Sequence, residues 1–162
     1  PTPPETVIIS VARRPGPAAP RPDAPIVLLE SPAHSGNIGA VVRVAAAAGA
    51  AAVITTGSND PWNPGALRGS AGLHYALPVR QGDVAQFADR ELIAIDPDGA
   101  PLARGRIPDS AVLAFGSERS GLSPGLLDRA ARRLALPMEP GVSSLNLATA
   151  VAATLYHWRL AR

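Results

Sequence analysis

The chain has 162 residues, the size of one ordinary domain, and its 46% hydrophobic but only 4% aromatic composition predicts an aliphatic core rich in small side chains. All fifteen basic residues are Arg; guanidinium forks onto phosphate and so suits a polyanion, although at a net charge of +2 a solvated surface of mixed sign explains the total equally well. The absence of cysteine excludes disulfides, thiolate nucleophiles and Cys-based metal sites, and the lack of a long apolar run or signal-peptide pattern predicts a cytoplasmic protein with no membrane partner.

Residues 1–24 hold seven prolines around one apolar island, Thr6 to Ala12, and read as a strand followed by a linker. The chain opens at Pro1 without a methionine, which fits either a processed start or the remnant of an upstream domain. From Pro25 to Arg162 a regular pattern follows, and these residues are expected to form the functional domain. Short apolar runs at Ile26 to Leu29, Ala52 to Thr55, Leu92 to Ile95, Val112 to Phe115 and Leu134 to Leu136 are each bounded by turn residues and predict buried strands. Helical stretches alternate with them: Ile38 to Ala48, Pro64 to Ala71, Asp83 to Ala88, Pro124 to Arg133 and a closing helix over Leu145 to Leu160. The expected fold class is α/β, a parallel sheet flanked by helices.

Ligands in such sheets sit at the carboxyl ends of strands, so the loops there carry the chemistry. Three combine glycine or serine with polar functional side chains: Ser35-Gly-Asn-Ile-Gly39, Gly116-Ser-Glu-Arg-Ser-Gly-Leu122 and Ser143-Ser-Leu-Asn146. In the first, Asn37 can cap a helix, yet Arg43 interrupts an otherwise Ala and Val helix and calls for an acidic partner or a phosphate. In the second, Glu118 and Arg119 lie between two glycines directly after a strand, placed to meet a ligand or to sit as a solvated pair at a turn. In the third, Ser143 or Ser144 can cap the final helix, with Asn146 in its first turn. Neither a dinucleotide fingerprint nor a P-loop is present, and no Gly-x-Ser-x-Gly elbow marks a serine hydrolase. His34, His74 and His157 have no metal-like spacing, so no metal is expected.

Together, Ser35 to Arg43, Ala114 to Leu122, and Leu136-Pro-Met138 with Ser143 to Ala148 resemble the three motifs of the SpoU, or TrmH, branch of the SPOUT RNA methyltransferases, in the same order. Asp60-Pro61 and Arg68-Gly-Ser-Ala-Gly72 match an intervening segment of that family. The resemblance covers Pro25 to the C-terminus and implies an α/β sheet whose C-terminal segment forms a deep trefoil knot. It implies transfer of a methyl group from S-adenosyl-L-methionine to a ribose 2′-hydroxyl of tRNA or rRNA, by a homodimer joined through the C-terminal helix and knot region. It further implies a cofactor site at Gly116, Leu136, Met138, Ser144 and Leu145 with Thr56 and Gly57 nearby, and catalytic roles for Arg43, Asn37, Glu118 and Asn146. Arg43, Arg68 and Arg119 are the residues expected to meet RNA, Arg43 acting either as base or as phosphate holder. The sequence departs from the family pattern at His34-Ser35 and at Arg119, neither of which removes a functional side chain. Two alternatives stay open: a base-directed tRNA methyltransferase of the same superfamily and a catalytically silent RNA-binding module.

Overall fold

A computed structural model of the chain describes residues 11–16, 18–102 and 107–162. Most of the strand expected over Thr6 to Ala12 lies outside the described residues; Val11 and Ala12 have no regular structure. Six strands form one sheet: β1 (Ile26–Leu29), β2 (Ala52–Thr55), β3 (Val79–Gln81), β4 (Leu92–Pro101), β5 (Val112–Phe115) and β6 (Arg132–Ala135). Their order across the sheet is β3-β2-β1-β5-β4-β6 and every pairing is parallel. Every residue of β1, β2 and β5 is buried, which is why these segments read as unbroken apolar runs rather than as alternation.

Among the described residues four α-helices cover the sheet: α1 (Ser35–Ala48), α2 (Pro64–Gly69), α3 (Pro124–Arg129) and α4 (Leu147–Leu160). Asn63 and Ser123 cap α2 and α3, each followed by a proline whose missing N–H costs nothing at the first helical position. Gly49 ends α1 in the left-handed conformation, φ 79°. The stretch expected as a helix at Asp83 to Ala88 is a single 3₁₀ segment, Val84–Phe87, capped by Asp83. The helix expected to run from Pro124 to Arg133 stops at Arg129, because the chain must turn into β6. There Arg132 donates Nε and Nη2 to the two oxygens of Glu91, at 2.6 and 3.2 Å, fastening β6 beside β4. As a result Leu136 lies just beyond the strand.

α1 packs closely on α2. At Gly39 an added methyl would overlap the carbonyl oxygen of Ala66 and come within 2.8 Å of Gly69 Cα, so only glycine permits this crossing. α4 returns from the far edge of the sheet to lie against α1. Its Val151, Leu155 and Trp158 are buried and belong to the core of the single chain. The described part of the Pro-rich lead is tied to the domain rather than hanging from it. Arg14 pairs with Asp60 at 2.6 Å, Arg21 donates to the Gly49 carbonyl, and Arg90 donates to the carbonyls of Arg21 and Ala24.

Candidate functional site

The chain proceeds from β1 to β3 in one direction and then crosses to the other half of the sheet, so strand order reverses between β1 and β5. At such a reversal the loops from the two central strands diverge and leave a crevice over their carboxyl ends. A cleft of about 650 Å³ opens there, lined by the loops after β1, β5 and β6, by the middle of β4 and by the start of α4.

One wall carries a linked set of polar side chains drawn from all three loops. Asn146 donates Nδ2 to Asn37 Oδ1 at 3.2 Å, and Asn37 donates Nδ2 to Glu118 Oε1 at 2.7 Å. The other carboxylate oxygen, Glu118 Oε2, accepts the backbone N–H of Ala33 at 2.9 Å. The network fixes which atom of each amide faces which neighbour. Asn146 is the cap of α4, its Oδ1 accepting from Ala148 and Thr149 N–H, so the cap is neither Ser143 nor Ser144, which lie exposed in the preceding loop. Asn37 likewise does not cap α1. That position falls to His34, and Asn37 lies in the first turn with its amide committed to the cleft.

Burial pushes the Glu118 carboxyl up, but the hydrogen bonds from Ala33, Asn37 and the neighbouring backbone outweigh it and hold the group below the usual glutamate range. Both oxygens are engaged and the proton is bound weakly, so Glu118 fixes Asn37 and is a poor base. A carboxyl with a depressed folded pKa stabilises the fold above its unfolded value, about 4.3, and loses that contribution as pH falls through the folded value. Thermal unfolding followed from pH 7 to pH 3 is therefore expected to show wild type more stable than Glu118→Gln at neutral pH. The gap should narrow below about pH 4; a constant gap would mean the carboxylate charge is not what the donors hold.

The turn that presents Glu118 depends on Gly116 and Gly121. Ser117 and Gly121 exchange two backbone hydrogen bonds, each 3.1 Å, folding the loop back on itself. A methyl on Gly116 would overlap the backbone of Gly121 and Leu122, and Gly121 has φ +65°. Across the cleft, Leu136, Met138 and Leu145 supply apolar surface, with Leu145 41% exposed although large and aliphatic. Ser144 joins them on the rim.

The structure thus brings together Asn37, Gly116, Glu118, Arg119, Leu136, Met138, Ser144, Leu145 and Asn146. It does not bring in the others. Thr56 and Gly57 line a separate cleft of about 590 Å³ over the ends of β1, β2 and β3, where Thr56 Oγ1 accepts from Ser31 N–H. Arg68 is exposed on α2, outside the cleft. Arg43 is exposed on α1 and has no hydrogen-bond or charge partner among the described residues, so burial does not oblige it to have one. Six residues beyond Asn37, it sits about 9 Å further along the helix and does not line the cleft. Sequence reading ended β4 at Ile95 and passed over Ile95, Asp96 and Pro97 as site residues; the strand runs on to Pro101, and these three line the cleft from its middle. Their signal was their place after a buried apolar run, obscured because Asp-Pro-Asp-Gly also spells a turn. Among the described residues no group of His, Asp and Glu is arranged to hold a metal, and no helix is long and apolar enough to cross a membrane.

A parallel sheet with a crevice at its strand-order reversal, lined by aliphatic side chains and by an amide and carboxylate cluster, defines a ligand-binding α/β domain. The chain belongs to the SpoU rRNA Methylase family, which it matches over residues 24–156. It is 32% identical over 143 residues to the 23S rRNA (guanosine(2553)-2′-O)-methyltransferase RlmP of Bacillus subtilis, covering 83% of this chain and 57% of that protein. Identity to the tRNA (cytidine(34)-2′-O)-methyltransferase of Burkholderia pseudomallei is 35% over 149 residues, 83% of this chain and 94% of the relative. Among solved structures, the SpoU methyltransferase AviRb from Streptomyces viridochromogenes in complex with AdoMet superposes with a TM-score of 0.80 at 28% identity, over 86% of this chain and 58% of that one. The chain thus spans little more than half the length of several relatives it resembles.

Proposed function

We propose that this domain is an S-adenosyl-L-methionine-dependent RNA methyltransferase that acts on a ribose 2′-hydroxyl of tRNA or rRNA. The observation that carries this reading is the Asn146–Asn37–Glu118 network, which joins three loops distant in sequence into one wall of a ligand-sized cleft. The names of the relatives support it: one modifies rRNA and the other tRNA, both at a 2′-hydroxyl. The residues present fit the donor, since Leu136, Met138 and Leu145 offer an aliphatic seat for an adenine and the polar wall stands across the same cleft.

Bound there, the donor supplies a sulfonium-activated methyl group. The chain's own task is alignment and proton removal. Asn37 and Asn146, locked by their mutual hydrogen bond and by Glu118, orient the reacting end. Glu118 holds its proton too weakly to be the base, and Arg43, a guanidinium with a pKa above about 12, is a fixed cation. In our reading Arg43 grips the phosphate of the target nucleotide and so aligns its ribose, and the hydroxyl proton passes to water as the methyl is transferred. Because Arg43 does not line the cleft of its own chain, it meets the reaction through the RNA or from a second copy. A homodimer suits this arrangement. On α4, Thr149, Ala153, Tyr156 and Leu160 form an exposed stripe at helical spacing, Tyr156 42% and Leu160 77% exposed. The trefoil knot belongs to the same proposal: the chain leaves β6 at the sheet edge and returns to lie against α1.

Calorimetric titration with S-adenosylmethionine and S-adenosylhomocysteine, followed by mapping of 2′-O-methylation on tRNA and rRNA, tests the reading. Arg43→Ala is expected to bind donor as wild type does and to lose roughly 100-fold in methyl transfer. Arg43→Lys separates charge from fork geometry, and undiminished transfer in it would exclude a bidentate phosphate grip. A folded wild-type chain that binds neither ligand would point instead to an RNA-binding module without catalysis.

A further inference from the structure

Asp96 lies in the middle of β4, where the pairing with β6 shifts register after Ile95; it lines the cleft, and its side chain is only 12% exposed. One of its oxygens is held firmly. Oδ1 accepts Arg133 Nη2 at 3.0 Å and the backbone N–H of Asp98 at 2.9 Å. Among the described residues Oδ2 accepts no hydrogen bond, so a carboxylate oriented by two donors lines the cleft with one oxygen uncommitted. A ligand hydroxyl that displaces water from that oxygen gains a charge-assisted hydrogen bond.

We propose that Asp96 Oδ2 accepts hydrogen bonds from the ribose hydroxyls of the methyl donor's adenosine. The inference rests on the donor reading above. Position in the sheet selects the ribose over the donor's other polar groups. Asn37 and Glu118, from the segments after β1 and β5, mark the reacting end with Asn146 at the start of α4, whereas Leu136 and Met138, directly after β6, form the apolar seat for the base. Asp96 comes from β4, between the two. In S-adenosylmethionine the ribose joins the base to the sulfonium, so an acceptor between those walls faces the vicinal diol. The methionine ammonium leaves the sulfur on the other side.

Calorimetry on the full chain tests the assignment with 5′-methylthioadenosine, which has the ribose and adenine but no amino-acid portion, and with its 2′,3′-dideoxy analogue. Wild type is expected to bind the hydroxylated ligand roughly tenfold more tightly than the dideoxy ligand, and Asp96→Asn to lose most of that preference. A residue that merely supported the fold would weaken both ligands alike. Equal binding of the two ligands by wild type, or an undiminished preference in Asp96→Asn, would overturn the proposal. Wild type that binds neither these ligands nor S-adenosylhomocysteine would overturn the donor reading itself.

Discussion

Asn146→Ala is expected to lower methyl transfer by roughly 100-fold or more while costing the fold only about 1 kcal/mol. The stability loss comes from the cap, because Asn146 Oδ1 satisfies two backbone N–H groups at the start of α4. The activity loss comes from the other end of the same amide, whose Nδ2 holds Asn37 and through it Glu118. Asn146→Asp separates the two effects. Aspartate caps a helix as well as asparagine does but cannot donate to Asn37, so its melting temperature should stay near wild type while transfer remains low. An Asn146→Asp variant with wild-type activity would show that the network does not position the reaction.

Gly116→Ala is expected to abolish measurable donor binding. The added methyl has no room against the backbone of Gly121 and Leu122, so the paired turn from Ser117 to Gly121 must open and carry Glu118 out of place. Overpacking of this kind costs about 1–3 kcal/mol, visible in thermal unfolding beside the calorimetric loss. Gly121→Ala is the comparison: its methyl meets no atom within 4 Å, and only the positive φ is penalised, by about 1–2 kcal/mol. If both variants bound S-adenosylhomocysteine as wild type does, the folded turn would not be what shapes the cleft.

The central strands were legible because both of their faces are buried, which leaves an apolar run with sharp ends; β1, β2 and β5 have the bounds their sequences suggest. Edges were not. β3 is Val-Arg-Gln, three residues with one buried, and β6 opens on two arginines, because an edge strand needs burial on fewer sides. The same edge position let the helix pattern of α3 seem to continue into β6. In the site, residue identity was legible and partnership was not. Serines before α4 advertise themselves as caps, yet Asn146 both caps and donates, a double use that only the meeting of α4 with α1 reveals. Arg43 looked in need of a partner because its neighbours are apolar, but it lies on the exposed side of α1. Thr56 and Gly57 follow a strand as the cofactor loops do, but on the other half of the sheet.

The hydrogen bonds of the polar wall span 81 and 109 residues along the chain. Contacts of such separation form late, after the intervening segments have already given up their freedom. The sheet can be complete while the site is still absent, because α4 follows the last strand and must dock on α1 before Asn146 reaches Asn37. Donor binding would then report that folding has finished, and S-adenosylhomocysteine protection of α4 against proteolysis would be a direct reading of that final step.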